Sequence, residues 1–151
     1  MKARDISEIT YTIIGAGMSV HGALGNGFQE VVYQRAMGVE LRMRGLSYER
    51  EKSMQIYYRG EAVGERRVDF YVEDAVMVEL KAVAELDAVH MAQAKNYLEA
   101  YGVRDGLLLN FGSKSLGYKH IYLSEKTRSP EALSQESQKS SCILVQDKKG
   151  T

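Results

Sequence analysis

Two hydrophobic periods alternate along the chain. Residues 5–24 place Ile6, Ile9, Ile13, Ile14, Gly17, Val20 and Leu24 at helical spacing, one apolar stripe on an amphipathic helix. Asp5, with Glu8 three residues later, predicts a capping box at its start. Gly25-Asn26-Gly27 predicts its stop, because Gly and Asn tolerate the left-handed backbone of a helix end. The same tripeptide also fits a phosphate-cradling loop, the rarer use of a single Gly-Asn-Gly. A second helix is predicted over 28–44, ending at Gly45, with Val32, Ala36, Val39 and Met43 buried and Glu40, Arg42 and Arg44 facing solvent.

From Leu46 the period falls to two. Residues 53–58 and 61–72 predict adjacent strands joined at Arg59-Gly60, with Glu49 and Glu51 solvated ahead of the first. Residues 76–83 continue the meander. Asp87 is placed to cap a third helix that runs to Tyr101 and stops at Gly102. The nearly all-apolar run 106–111 predicts a central strand covered on both faces. Strand, helix and strand over 76–111 then make a right-handed parallel crossover, and 118–123 adds an edge strand. The fold class predicted is α/β (α+β), with helices flanking a mixed sheet of four to five strands. Residues 1–123 make one domain. From 124 to 151 Ser, Gln, Glu and Lys dominate and the only proline, Pro130, appears, which predicts a disordered polar tail. A short Cys142-Ile143-Leu144-Val145 run in it could dock elsewhere.

Composition narrows the classes. The chain has 151 residues, 44% hydrophobic and 26% charged, as in an ordinary globular protein. One cysteine excludes an internal disulfide and a cysteine-rich metal site. No apolar run is long enough for a membrane span and no secretory pattern opens the chain, so no membrane partner and a cytoplasmic location are expected. Formal net charge is zero, with 20 Lys+Arg against 20 Asp+Glu, and residues 1–123 carry 15 basic and 16 acidic groups. No overall basic field advertises nucleic acid, so a polyanion must be held by a local patch or by bound metal.

Chemistry concentrates in the hairpin 66–81. Along 76–82, Val76, Val78 and Leu80 fall on one strand face and Met77, Glu79 and Lys81 on the other. A two-residue turn at Glu73-Asp74 would put Asp69 opposite Val78. A three-residue loop, Glu73-Asp74-Ala75, puts Asp69 opposite Glu79, and that register is the one expected. Two carboxylates so placed repel unless a cation joins them. Mg²⁺ (or Mn²⁺) takes one or two carboxylates plus waters, and the backbone carbonyl of Leu80 offers a third protein oxygen. Lys81 beside it would meet a phosphate or hold an attacking water. The plainer alternative is a solvated same-face Glu-x-Lys pair worth under ~1 kcal/mol. Glu30 likewise suits the first turn of a helix on dipole grounds alone.

Asp69 followed by Glu79-Leu80-Lys81 resembles the D…(D/E)-x-K core of the PD-(D/E)XK nuclease superfamily, and the element order resembles its restriction-endonuclease-like αβββαβ core. Gly27-Phe28-Gln29-Glu30-Val31-Val32-Tyr33 matches G-x-x-E-x-x-Y, which names a small bacterial branch, the GxxExxY proteins. His90, Gln93 and Tyr97, and the run 106–112, are similar to that branch too. The resemblance implies a Mg²⁺-dependent nuclease acting on nucleic acid, DNA favoured. It makes Asp69 and Glu79 metal carboxylates, Lys81 the catalytic lysine and Glu30 a further member of the acidic cluster. Gln93, Tyr97, Tyr33 and His90 fall to the substrate side, His90 equally fitting a surface or outer position. Arg66, Arg67, Lys95 and Lys119 are candidates to grip a phosphate backbone. A homo-oligomer is compatible. The alternative reading is a catalytically silent nucleic-acid-binding or protein-interaction module on a nuclease scaffold.

Overall fold

The structure, a computed structural model, describes residues 4–124. The predicted disordered tail and its Cys142-Ile143-Leu144-Val145 run fall, from residue 125 onward, outside the described residues. The elements are α1 (Ile6–Leu24), α2 (Glu30–Met43), β1 (Tyr48–Tyr58), β2 (Glu61–Val72), β3 (Val76–Lys81), α3 (Ala88–Tyr101), β4 (Asp105–Asn110) and β5 (Gly117–Tyr122). They build one five-stranded sheet in the order β1-β2-β3-β4-β5. β1, β2 and β3 form the predicted antiparallel meander, β3 and β4 pair in parallel across α3, and β5 closes the edge antiparallel to β4.

Strand alternation decides which helix covers which face. Val76, Val78 and Leu80 join Leu107 and Leu109 of β4 in one core with Ile9, Ile13 and Val20 of α1 and Met37 and Leu41 of α2. Met77 points the other way and packs with Leu98 of α3. α1 and α2 therefore cover one face and α3 the other. Every residue of β4 is buried, as expected of a strand with helices on both sides. α3 begins on Asp87, whose carboxylate accepts from the Val89 and His90 N–H groups at 3.1 Å, and ends on Gly102 in the left-handed conformation.

Three local expectations are corrected. Asp5 occupies the N-cap position of α1 but caps nothing. Its carboxylate takes the Ser7 hydroxyl instead, so no capping box with Glu8 forms. α2 buries Tyr33, Gln34, Met37, Gly38 and Leu41, a face rotated by about one residue from the predicted one, while Val39 and Met43 stand 47% and 77% exposed. Gly38 explains the rotation. The Tyr48 hydroxyl donates to its carbonyl at 2.9 Å, and a Cβ on Gly38 would lie 3.0 Å from the Tyr48 hydroxyl oxygen. The first strand starts at Tyr48, so Glu49 and Glu51 are exposed strand residues rather than a leader to it. Among the described residues no helix is long and apolar enough to cross a membrane.

Candidate active site

The site forms where strand alternation fails. Phe70 and Val72 of β2 belong to the core under α1 and α2, yet Val68, two residues earlier, belongs to the cluster under α3. β1 inverts at the same level. Arg50 reaches Gln34 of α2, whereas Lys52 sets its ammonium 4.7 Å from the Tyr71 ring on the α3 side. Between them Glu51 has φ 53°, a left-handed conformation that costs a non-glycine residue about 1–2 kcal/mol. The ladder pairs Arg50 with Phe70 and Lys52 with Val68, so Glu51 faces Asp69 across a gap in the pairing. Asp69 lies at the inversion.

Asp69 is also at a boundary on its other side. β2 pairs with β3 from Val72–Val76 to Phe70–Val78, and regular pairing stops there. The loop is Glu73-Asp74-Ala75, with Glu73 and Asp74 at φ 52° and 49°. That is the three-residue register, and one step beyond Phe70–Val78 Asp69 stands opposite Glu79. Here a side chain replaces the ladder: Asp69 Oδ2 accepts the Leu80 backbone N–H at 2.7 Å. Asp69 Oδ1 accepts from Gln34 Nε2 at 2.9 Å.

Burial and mutual repulsion charge this corner. Glu79 is 8% exposed, and burial first, then the Asp69 charge, pushes its carboxyl up to about 7. Arg66, Lys81 and the Asp69 backbone N–H oppose that rise. Arg66 is only a distant counterion, 3.9 Å from Glu79 Oε2, and buried Glu79 Oε1 has no hydrogen-bond partner among the described residues. Asp69 is raised mainly by burial, against the Leu80 N–H, Gln34, Lys81 and Arg66. Glu30, in the first turn of α2, is raised by burial and by Asp69, against Lys81, a hydrogen bond from the Ala82 backbone, and Arg66. Glu30, Asp69, Glu79 and Lys81 therefore share one electrostatic neighbourhood.

A narrow cleft between β3 and α3 opens from this corner, lined by Arg66, Glu79, Lys81, His90, Gln93 and Tyr97. The Arg66 guanidinium sits 4.7 Å from the centre of the Tyr97 ring. Burial raises the Tyr97 phenol, Arg66 lowers it and Glu79 raises it. Gln93 and Tyr97 thus both line the cleft. His90 does two things: it lines the cleft, and its Nδ1 accepts the Asp87 backbone N–H at 3.2 Å as part of the α3 cap.

Tyr33 belongs to the interior rather than to a substrate surface. It is fully buried, its ring stacked on Phe111 at 4.7 Å. Its hydroxyl donates to the Gly25 carbonyl and accepts from the Phe28 N–H at 3.1 Å, tying down the loop that launches α2 and Glu30. Sequence reasoning missed Gln34 and Arg50. Gln34 was signalled, being four residues past Glu30 on the same helix face. Arg50 was not, since only the inverted strand directs it at α2.

A divalent cation fits the donor set. Among the described residues Glu79 Oε1 is a buried acceptor lacking a donor, and a cation would offset the burial that raises both carboxyls and the Asp69 charge that further raises Glu79. Among the described residues no three His, Cys, Asp or Glu side chains close into a metal-holding group. The fit is therefore that of a hard ion held by two carboxylates and completed by waters.

A family model described as the PD-(D/E)XK nuclease superfamily matches residues 7–121, and the chain belongs to that superfamily. Its members are usually nucleases, and typically use divalent metals. The mixed sheet flanked by helices is the restriction-endonuclease-like fold. Among solved structures, the crystal structure of SSO0001 is similar in fold, with 15% identity and a TM-score of 0.50. The similarity covers 93% of this chain and 65% of that one. No curated protein matches.

Proposed function

We propose that this member of the PD-(D/E)XK nuclease superfamily is a Mg²⁺-dependent nuclease, DNA its favoured substrate, with Asp69 and Glu79 holding the metal. One observation carries the reading: buried Glu79 Oε1 has no partner among the described residues, on a carboxyl beside the half-buried carboxyl of Asp69. A bound Mg²⁺ supplies a polarised water and neutralises charge on the phosphate. Lys81, two residues from Glu79 on the same strand, gives its ammonium to a phosphate oxygen or to the attacking water. Glu30 adds negative charge at the rim, fixed by the Ala82 backbone. Arg66, stacked on Tyr97, and Gln93 contact the strand running through the cleft. The family relationship supports nucleic acid as substrate. The GxxExxY pattern at 27–33 supports placement in that branch, with Tyr33 serving the loop rather than the ligand.

The test is cleavage of labelled single- and double-stranded DNA and RNA with Mg²⁺ or Mn²⁺. Activity is expected to fall at least ~100-fold in Asp69→Ala, Glu79→Ala and Lys81→Ala while each remains folded. Equal cleavage by all three variants would show that the activity is not this site's. Balanced charge favours a second reading, a catalytically silent nucleic-acid-binding or protein-interaction module on the same scaffold. It predicts no metal-dependent rise in Tm at millimolar Mg²⁺.

A further inference from the structure

We propose that Gln34 is the positioning residue for Asp69, and that Arg50 sets the direction in which the Gln34 amide points. The proposal rests on the metal-site reading above and adds residues to it. Gln34 is buried, and its amide is engaged at both ends. Arg50 Nη2 donates to Oε1 at 2.7 Å, and Nε2 donates to Asp69 Oδ1 at 2.9 Å. An amide is nearly symmetric in shape but not in chemistry. A guanidinium has donors and no acceptor, so only the amide oxygen can face Arg50. The NH₂ group must then face Asp69. Turned around, the amide would set NH₂ against the guanidinium and its oxygen against the carboxylate, two repulsive contacts in place of two hydrogen bonds.

The Leu80 N–H on Oδ2 at 2.7 Å is the second anchor. Each Asp69 oxygen takes one donor and keeps a further lone pair for a cation, so the carboxylate plane is fixed before any metal arrives. Partners of this kind commonly change metal affinity 10–100-fold when removed. Gln34 touches neither metal nor substrate in this account. Arg50 acts from an exposed position on β1.

The full chain is titrated with Mn²⁺ by calorimetry, and the Leu80 amide is followed by ¹H–¹⁵N NMR without metal. Gln34→Leu is expected to weaken Mn²⁺ binding about 10–100-fold and to move the Leu80 resonance. Gln34→Glu keeps an acceptor for Arg50 but offers Asp69 no donor, and should lose as much. Arg50→Ala should lose less, Arg50→Lys should recover most of that loss, and Gln34→Leu with Arg50→Ala should be no worse than Gln34→Leu alone, because Arg50 acts only through Gln34. If Gln34→Leu does not fold, Arg50→Ala at its exposed position carries the test. Wild-type Mn²⁺ affinity with an unmoved Leu80 resonance in the Gln34 variants, or in Arg50→Ala, overturns the relay. Wild-type affinity in Asp69→Asn overturns the metal site itself, and the Leu80 resonance then still decides the relay.

Discussion

The two faces of the sheet have divided the work. Under α1 and α2 lies a continuous apolar core from Ile9 to Phe111. Under α3 the apolar cluster is small, Val68, Met77, Leu98, Val103 and Leu123, and beside it the cleft with Glu79, Lys81 and Arg66 opens. The first face supplies the burial that stabilises the fold. That surplus lets the second hold carboxyls whose charged forms are disfavoured. The two meet at one residue, Asp69, where β1 and β2 exchange faces.

Breaking the first face should have the largest effect on stability. Phe70→Ala, a fully buried ring against Tyr48, is expected to cost about 3–5 kcal/mol in chemical denaturation. Breaking the second should do the opposite. The Glu79 carboxyl titrates near 7 when folded, above its ordinary value of 4.5. The unfolded chain therefore loses its proton first. Metal-free stability should be full below pH ~4.5, fall as pH rises toward ~7, and level off above it, a span of roughly 3 kcal/mol at most. Glu79→Gln should remove most of that slope and stabilise the metal-free protein at pH 8. The raised Asp69 and Glu30 carboxyls act in the same direction and leave a residual slope. A Glu79→Gln variant less stable than wild type at pH 8 would contradict the strain assigned to this face.

Smaller effects sharpen the comparison. Tyr33→Phe keeps the stacked ring but leaves the Gly25 carbonyl and Phe28 N–H without their partner, which should cost ~1–2 kcal/mol. Cleavage should weaken only through the loosened start of α2. The helix caps give the smallest pair. Asp87→Ala should cost ~1 kcal/mol, since its carboxylate holds two backbone N–H groups. Asp5→Ala should cost under ~0.5 kcal/mol, since among the described residues its carboxylate holds only Ser7. Thermal melts of the two variants side by side decide this.

The same division explains what the sequence made legible. Alternation along β3, the nearly all-apolar run 106–111 that forms most of β4, Asp87 and Gly102 around α3, and the three-residue loop are local signals, and each is found in the structure. Asp69, Glu79 and Lys81 could be found because they interrupt apolar runs at strand spacing. The face of α2 could not. Val32-Ala36-Val39-Met43 and Tyr33-Met37-Leu41 are both helical stripes, and Tyr48 packing on Gly38 chooses between them. That choice also turns Glu30 and Gln34 toward Asp69. The inversion at Glu51 has no sequence marker, because a glutamate at positive φ is held there by tertiary packing. Arg50 was hidden with it.

The most direct measurement is the structure of the protein crystallised and soaked in Mg²⁺ or Mn²⁺. One ion is expected with oxygens of both Asp69 and Glu79 within about 2.0–2.1 Å, waters filling its octahedron, and the Gln34 and Leu80 hydrogen bonds to Asp69 intact. A saturating soak that leaves Glu79 Oε1 without a ligand, or an ion bound away from this pair, would contradict the metal-site reading.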